Sequence, residues 1–396
     1  MPHTGERATF RDVFAVAEFR ALWMAQVLSV GGDQLARVAL TVLVYDRTRS
    51  PLLAAVTYAA SIVPVFLGGV LLSGLADRLP RRAVMITCDL ARALLVTFMA
   101  LPGMPVAALV ALLFVVTLFG APFISARSAI YPDVLPGDRY VLGTAVTMTT
   151  LQFAQVLGFL AGGAVVAFLG THVSLLIDAV TFIASAVFVR CGVQARPAAR
   201  IGAGRMTATL ADTLAGARLV FGTRALRTPM LFGWLSAFYN VPEGIAAPLA
   251  GARGGGAVAV GAILAAGALG SSLGVIAFSR FVNPAQRQHW TGPLAVCACG
   301  ILITAASGPG LRALLLILFA AGVLDCFQVG ANAAFVSATP HERRGQAFGL
   351  AQAGMNLGQG VAMILAGAAA EHFAPTTVVA ASGAIGMVAA VLLAAG

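Results

Sequence analysis

The chain has 396 residues, of which 59% are hydrophobic and 10% are charged, whereas about a quarter of an ordinary soluble domain is charged. This composition excludes a soluble globular protein. All 25 basic side chains are arginine. The lack of lysine excludes a phosphate-loop lysine and a lysine Schiff base, and with them a self-contained ATP-driven pump.

Apolar runs bounded by charges, proline or glycine predict the helices that would cross a membrane. Twelve such runs use most of the chain, so we predict an all-α membrane protein with twelve transmembrane helices. In chain order the predicted spans are 18–44, 51–75, 83–101, 105–127, 141–169, 172–191, 228–250, 257–280, 291–307, 312–334, 345–370 and 375–395.

The longest polar interruption runs from Gln194 to Arg227 and divides the spans six and six. We therefore predict a first six-helix half over 1–193, a cytoplasmic linker over 194–227 and a second half over 228–396. Within the linker, spaced leucines from Met206 to Val220 predict an amphipathic helix that lies on the membrane surface.

Arginines near the span ends predict the orientation, because cytoplasmic loops of membrane proteins are enriched in basic residues. For an even number of spans, 19 arginines fall on one side and four on the other, while Arg37 and Arg92 lie inside spans. The sequence thus predicts a multi-pass protein of the plasma (inner) membrane with both termini in the cytoplasm. The dispersed arginines form no basic face for nucleic acid.

The two halves resemble each other when one is shifted by 204 positions, which places Pro136 on Pro340, Arg139 on Arg343 and Gly163 on Gly367. These matches fall at the same place in the order of spans, so we favour a duplication. Two six-helix halves around a cavity are a transporter plan.

A charged motif follows the second span: Ser73-Gly74-Leu75-Ala76-Asp77-Arg78-Leu79-Pro80-Arg81-Arg82. It resembles the major facilitator superfamily signature G-x-L-A-D-R-x-G-R-[RK], with Ser73 and Pro80 in glycine positions. Residues 29–33, 89–92 and 340–345 are similar to the branch of drug:proton antiporters, macrolide-efflux proteins and enterobactin-type siderophore exporters. Residues 158–163 resemble the antiporter pattern G-P-x-x-G-G through Gly158, Gly162 and Gly163, with Phe159 in the proline position.

The resemblance implies two pseudo-symmetric six-helix halves and a latch on the cytoplasmic face. Its aspartate would accept hydrogen bonds at the start of the eleventh helix, and its arginines would pair with carboxylates. The simpler alternative is that the arginines only set the orientation of the protein in the membrane. The latch residues that the resemblance implies are Asp77, Arg78, Arg81 and Arg82. Asp89 and Arg92 lie three positions apart on the third span, so they can pair either as part of this cytoplasmic gate or as a structural ion pair. Arg127, at the cytoplasmic end of the fourth span, can join the gate or extend to the lipid headgroups.

Asp33 and Arg37 lie one helical turn apart in the middle of the first span. A charge near the bilayer centre costs at least about 2.5–3.5 kcal/mol, so such residues usually pair or face a wet cavity. We predict that Asp33 alternates between Arg37 and a cavity and carries a proton; a permanent ion pair is the alternative. Glu243 and Asp325 lack a basic residue one turn away and are further candidates for a proton or a cationic substrate.

Polar and aromatic side chains inside the spans are candidates to line a substrate cavity, although most such residues pack helices together. These candidates are Gln26, Tyr58, Gln152, Phe238, Tyr239, Asn240, Gln328, Asn332 and Asn356. We found no metal-ligand spacing and expect no metal and no cofactor, the proton gradient being the energy source.

These observations predict a secondary active transporter, not an enzyme, that exports a small amphipathic molecule in exchange for protons by alternating access. The export direction is implied by the resemblance. We expect a monomer in the lipid bilayer, with a small-molecule substrate and protons as partners. Broad multidrug efflux and dedicated export of one endogenous metabolite or lipid stay open, and a non-transporting sensor or scaffold is the alternative from another class.

Overall fold

The computed structural model describes residues 9–65, 67–69, 72, 79–196, 217–218, 220–340 and 343–395, and the regular structure in these ranges is helical. The α-helices, numbered in chain order, are α1 Phe10–Ala15, α2 Ala17–Thr48, α3 Pro51–Ala59, α4 Arg81–Met99, α5 Val106–Val134, α6 Asp138–Gly192, α7 Arg224–Trp234, α8 Ser236–Tyr239, α9 Val241–Gly244, α10 Ala246–Gly251, α11 Ala257–Phe281, α12 Arg287–Leu302, α13 Leu311–Leu324, α14 Phe327–Ala338, α15 Arg344–Ala370 and α16 Pro375–Ala395. Short 3₁₀ turns lie at Pro284–Gln286 and Ile303–Ser307.

Within the described ranges, nine helical segments are long and apolar enough to cross a membrane. The predicted spans 141–169 and 172–191 both fall in α6, which is counted once. The predicted span 83–101 matches α4, which carries four charged residues, and the predicted span 228–250 is divided among α7 to α10. The all-helical prediction is therefore confirmed, while the count of twelve spans stays a prediction.

The long helix α6 turns at Gly170, where φ is 81° and ψ is 168°. This backbone conformation suits glycine, because a Cβ atom would clash at positive φ. One turn later the Ser174 hydroxyl donates to the Gly170 carbonyl at 2.8 Å. Gly170 therefore separates the two predicted spans that α6 joins.

The chain forms two compact units. Unit 1 comprises Met1–Ala36, Pro64–Gly158 and Leu169–Arg205, and unit 2 comprises Arg37–Val63, Phe159–Phe168 and Met206–Gly396. Two segments of the predicted first half, 37–63 and 159–168, thus pack within unit 2. The six-plus-six division concerns the order of spans and stays a prediction. The predicted linker helix lies mostly outside the described residues.

The core of unit 1 lies where α2, α4, α5 and the end of α6 meet. Phe19, Met85 and Val189 are fully buried there, and Ile130 is nearly so. Burial of such side chains contributes roughly 1.5–3 kcal/mol each. This core holds the helices that carry Asp33, Asp89 and Arg92 in fixed positions.

In unit 2, α3 packs against α15 through Gly367. A Cβ atom at Gly367 would lie 2.5 Å from the Cβ of Ala55 and 3.0 Å from the Cα of Leu52. Only a residue without a side chain allows this approach. At the end of α15 the Glu371 carboxylate accepts hydrogen bonds from the Ser50 hydroxyl at 2.5 Å and the Leu52 amide at 3.1 Å.

The Ser50 hydroxyl and then the Leu52 amide lower the pKa of Glu371 below its usual range, because both donate to the charged form. Since the folded-state pKa is lowered, the contribution of this contact to stability is present above the unfolded pKa. It is lost as the pH falls through the lowered value. The contact therefore holds α3 and α15 together at neutral pH.

We predict that Gly367→Ala destabilises the protein, because overpacking a close contact costs about 1–3 kcal/mol. The matched control on the same helix is Gly349→Ala, since a Cβ atom at Gly349 meets nothing within 4 Å. Thermal unfolding of the purified protein should show a lower midpoint for Gly367→Ala only. Equal midpoints for the two variants would contradict the close α3–α15 contact.

Candidate functional site

A buried arginine on α4 organises the charged groups of unit 1. The Arg92 guanidinium donates to the Asp33 carboxylate at 2.6 Å and to the Ser29 hydroxyl at 3.1 Å, both on α2. Its Cζ atom lies 4.0 Å from the centre of the Phe182 ring on α6, which adds a cation–π contact. Three helices of unit 1 therefore meet at Arg92.

A second carboxylate lies on the same helix as Arg92. The Oδ1 atom of Asp89 is 3.9 Å from the Arg92 guanidinium, and its Oδ2 atom accepts a hydrogen bond from the Ser185 hydroxyl at 2.6 Å. Asp89 is completely buried. The predicted Asp89–Arg92 pair is thus present, but it is the longer of the two ion pairs that Arg92 makes.

A third carboxylate, Asp178 on α6, belongs to the same cluster. Asp178 is 1% exposed and interacts electrostatically with Asp33 and Arg92. A Cβ atom at Gly32 would lie 2.2 Å from the Asp178 carboxylate. Gly32, next to Asp33, therefore leaves space for Asp178. The sequence contains this glycine, but only the fold shows which side chain lies against it. We call Asp33, Asp89, Arg92 and Asp178 the Arg92 cluster.

The predicted partner of Asp33 was wrong. The ion pair of Asp33 is with Arg92, 59 residues away, and not with Arg37 one turn along α2. Arg37 instead donates to the Ser61 carbonyl at 3.3 Å and lies 5.4 Å from the centre of the Tyr58 ring. Side chains one turn apart share one face of a helix but need not bond to each other. A residue on an adjacent helix can therefore pair with either of them.

Glu243 on α9, which has no local basic partner in the sequence, is paired through tertiary structure. The hydroxyl of the buried Tyr58 donates to Glu243 at 2.8 Å, and Arg37 interacts electrostatically with the carboxylate. These three residues all belong to unit 2. Glu243 is half-buried and is therefore not a freely exposed surface carboxylate.

Asp325, at the end of α13, accepts a hydrogen bond from the Ser271 hydroxyl of α11 at 2.8 Å. Its other carboxylate oxygen is buried and has no hydrogen-bond partner among the described residues. The Tyr239 hydroxyl accepts from the Gln328 amide at 3.1 Å and interacts electrostatically with Asp325. Like Glu243, Asp325 therefore has no basic hydrogen-bond partner in the part of unit 2 that the structure describes.

The implied latch residues divide among several places. Asp77 and Arg78 lie outside the described residues. Arg81 donates to the Ala129 carbonyl at 2.8 Å and to Asp133 at 3.1 Å, and Arg82 donates to the Arg190 carbonyl. Arg127 is 5% exposed and lies over the Tyr131 ring. Of the latch set, Arg92 and Asp89 belong instead to the Arg92 cluster.

The glycines of the antiporter-like pattern lie at close helix contacts. A Cβ atom at Gly158 would lie 2.8 Å from the Gln34 side chain within unit 1. A Cβ atom at Gly163 would lie 2.8 Å from the Ala257 carbonyl at the start of α11, within unit 2. Gly162 between them is buried. Their role in coupling stays a prediction.

A cavity of about 580 Å³ lies within unit 2 between α7, α14 and α15. It brings together two of the predicted cavity residues, Gln328 and Asn332. Asn356 adjoins it by accepting a hydrogen bond from the lining residue Gln352. The described residues that line it are Pro229, Met230, Gly233, Trp234, Gln328, Val329, Ala331, Asn332, Ala333, Phe335, Phe348, Ala351, Gln352 and Met355.

The remaining cavity candidates lie elsewhere. Gln26 is buried with its carbonyl oxygen unpartnered among the described residues, and Gln152 is exposed. Phe238 packs in the core of unit 2 against Gly386, and Asn240 connects α8 to α9. Among the described residues, no group of three or more histidine, cysteine, aspartate or glutamate side chains is placed to hold a metal ion.

We predict that Tyr58→Phe destabilises the protein, because it leaves the Glu243 carboxylate without its donor, at a cost of about 1–3 kcal/mol. The control is Tyr45→Phe, which also removes a phenol hydroxyl but keeps the ring that lies 6.0 Å from the Arg49 guanidinium. Denaturation of the two variants by heat should lower the midpoint for Tyr58→Phe alone. A Tyr58→Phe midpoint equal to that of the control would contradict a stabilising Tyr58–Glu243 bond.

Comparison with known proteins agrees with this architecture. No curated protein matches the sequence. The fold is similar to the crystal structure of nucleoside transporter NupG, with a TM-score of 0.75, 15% identity and coverage of 95% of this chain and 98% of that chain. A POT family transporter in complex with a thioalcohol-conjugated peptide gives a TM-score of 0.74 at 11% identity, covering 95% of each chain.

A bacterial homologue of the iron transporter ferroportin, in its inward-facing state, gives a TM-score of 0.71 at 16% identity, covering 96% of this chain and 99% of that one. At such identities the likeness shows the fold alone. The model of the Major Facilitator Superfamily matches residues 22–323 and 290–395. The protein therefore belongs to the Major Facilitator Superfamily and is a multi-pass membrane transporter, not an enzyme.

Proposed function

We propose that the protein is a proton-coupled secondary transporter that exports a small amphipathic molecule by alternating access. The observation that carries this proposal is the Arg92 cluster, in which three aspartates surround one arginine on membrane helices. The proposed direction of export comes from the sequence resemblance to exporters. The proposed setting is the plasma (inner) membrane, with both termini in the cytoplasm.

Charge balance supports a proton-binding role. Three ionised carboxylates and one guanidinium would leave two uncompensated negative charges in a poorly hydrated place. Uncompensated buried charges are costly, so a group in such surroundings tends to become neutral by binding a proton. Because the three aspartates interact with one another, such protons belong to the cluster as a whole.

Exposure singles out Asp33 as the member that exchanges protons with water. Its side chain is 31% exposed, whereas Asp89 is 0% and Asp178 is 1% exposed. A proton that enters the cluster therefore reaches Asp33 first. In this proposal Asp33 is the proton carrier, as predicted, while Arg92 replaces Arg37 as the group that Asp33 holds and releases.

Protonation of Asp33 would remove the charge that holds Arg92 at 2.6 Å. Arg92 would then turn toward Asp89 and Asp178, and the contact between α2 and α4 would weaken. A ligand or proton shifts a conformational equilibrium only by its differential affinity for the two states. The Asp33–Arg92 ion pair is the interaction that would differ between the two access states, so its loss would favour one state over the other.

We predict that Asp33→Asn abolishes uphill, gradient-driven export while it leaves downhill movement of the same compound measurable. Asparagine keeps the shape and polarity of the side chain but neither ionises nor binds a proton near neutral pH. The measurement is energised efflux from cells that lack their own exporters, with cationic dyes, neutral aromatic compounds and macrolides as the panel. A protonophore should reproduce the loss in the wild type.

The matched control is Asp46→Asn, on the same helix, because Asp46 is exposed and pairs only loosely with Arg49 at 3.9 Å. Surface levels of the variants must be equal. Normal uphill export by Asp33→Asn would refute the carrier role of Asp33 and make Glu243 or Asp325 the next residue to substitute.

A further inference from the structure

We infer that the cavity in unit 2 binds an uncharged aromatic molecule that donates hydrogen bonds. This inference rests on the proposed function, because it names the chemical class of the transported substrate. It comes from three properties of the cavity: its size, its apolar walls, and the polar atoms that remain free inside it.

The size of the cavity suits a molecule of two or three rings. Its volume is about 580 Å³, and pockets of roughly 300–1,000 Å³ are typical of sites for drug-sized ligands. Single ions are far smaller than this space. A macrolide is larger than the cavity, so we expect it to bind weakly there.

Flat aromatic walls give the cavity its apolar character. The Trp234 indole donates to the Ala351 carbonyl at 3.0 Å, which uses its N–H group and fixes the ring. The Phe335 and Phe348 rings form an edge-to-face pair with centres 5.3 Å apart. Met230 and Met355 complete the lining, and thioether side chains adapt their shape to different ligands. Such walls favour a flat aromatic ligand.

Two glutamine carbonyl oxygens of the described lining are free to accept hydrogen bonds. The Gln328 amide nitrogen donates to the Gly233 carbonyl at 3.2 Å and to the Tyr239 hydroxyl at 3.1 Å, which leaves its carbonyl oxygen to accept. The Gln352 amide nitrogen donates to Asn356 at 3.0 Å, which again leaves a carbonyl oxygen. Hydroxyl or amide hydrogens on the ligand would satisfy these oxygens.

The described lining of the cavity carries no charge. None of the fourteen residues that the structure describes there is ionisable. A charged ligand would lose water on entering and would meet no opposite charge among these residues, which is costly. The cavity therefore discriminates against anions and cations of the same ring system. Asp325 and Glu243, two of the carboxylates of unit 2, do not belong to the described lining.

Equilibrium dialysis of the full chain in zwitterionic lipid nanodiscs tests this inference. The probes are a hydroxylated flavone at pH 6, the same flavone with its hydroxyl groups methylated, and the same flavone as its sulfate ester. Binding to empty nanodiscs is subtracted. We expect the hydroxylated flavone to bind best and the sulfate ester at least about tenfold more weakly, a ratio that corresponds to about 1.4 kcal/mol.

Two variants assign the binding to the cavity. Gln328→Leu and Gln352→Leu should each weaken the hydroxylated flavone about five- to tenfold, as expected for loss of one hydrogen bond. They should leave the methylated flavone almost unchanged, whereas a general distortion would weaken both probes equally. The control is Gln359→Leu on the same helix as Gln352, because Gln359 donates to Ser236 outside the cavity.

Equal affinity for the sulfate ester, or an unchanged affinity in both cavity variants, would overturn the inference. The proposed function is tested separately with Asp33→Asn. This variant should bind the flavone normally and yet fail to export it uphill. Flavone binding without gradient-driven export by the wild type would refute the proposed function and leave the cavity assignment intact. Gradient-driven export of other compounds without flavone binding would support the proposed function and refute the cavity assignment.

Discussion

The burial of one guanidinium among three carboxyl groups is the constraint on which the account of this transporter depends. Arg92 is 4% exposed and is held by Ser29, Asp33, Asp89 and the Phe182 ring. An arginine cannot lose its proton under physiological conditions, so its charge is permanent. The aspartates are the groups that can change charge, and any change among them alters what Arg92 contacts.

The two units carry different chemistry. Unit 1 contains the Arg92 cluster, and unit 2 contains an uncharged cavity lined by aromatic rings, thioethers and amides. Helix α2 runs through both units, with Asp33 in the first and Arg37 one turn later in the second.

Much of the fold was predictable because bilayer thickness and hydropathy dictate where helices lie. The boundaries of α11, α15 and α16 agree with the predicted spans within one residue, since charge, glycine or proline marks both ends of each. Asp33 was recognisable as a candidate because an ionisable residue within a span is costly. Prediction was weaker where a helix is broken, as between α7 and α10, because proline and glycine act through tertiary packing there.

The side-chain partners of the buried charged residues could not be predicted from the sequence. Helical spacing suggested Arg37 for Asp33 and found nothing for Glu243, whereas the structure pairs Asp33 with Arg92 and Glu243 with Tyr58. Both contacts join residues far apart in the chain, and a single sequence does not tell which helices are neighbours. The place of Asp178 could not be predicted for the same reason, since it depends on Gly32 and Arg92 on other helices.

The most direct test of the central claim is infrared spectroscopy of the carboxyl groups in the purified protein over a pH series, with Asp46→Asn as the reference. The account predicts a protonated-carboxyl band that grows as the pH falls in the wild type and the reference, exchanges with deuterated water, and is reduced or shifted in Asp33→Asn. An identical spectrum for Asp33→Asn across the whole series would contradict a proton held by the Arg92 cluster through Asp33.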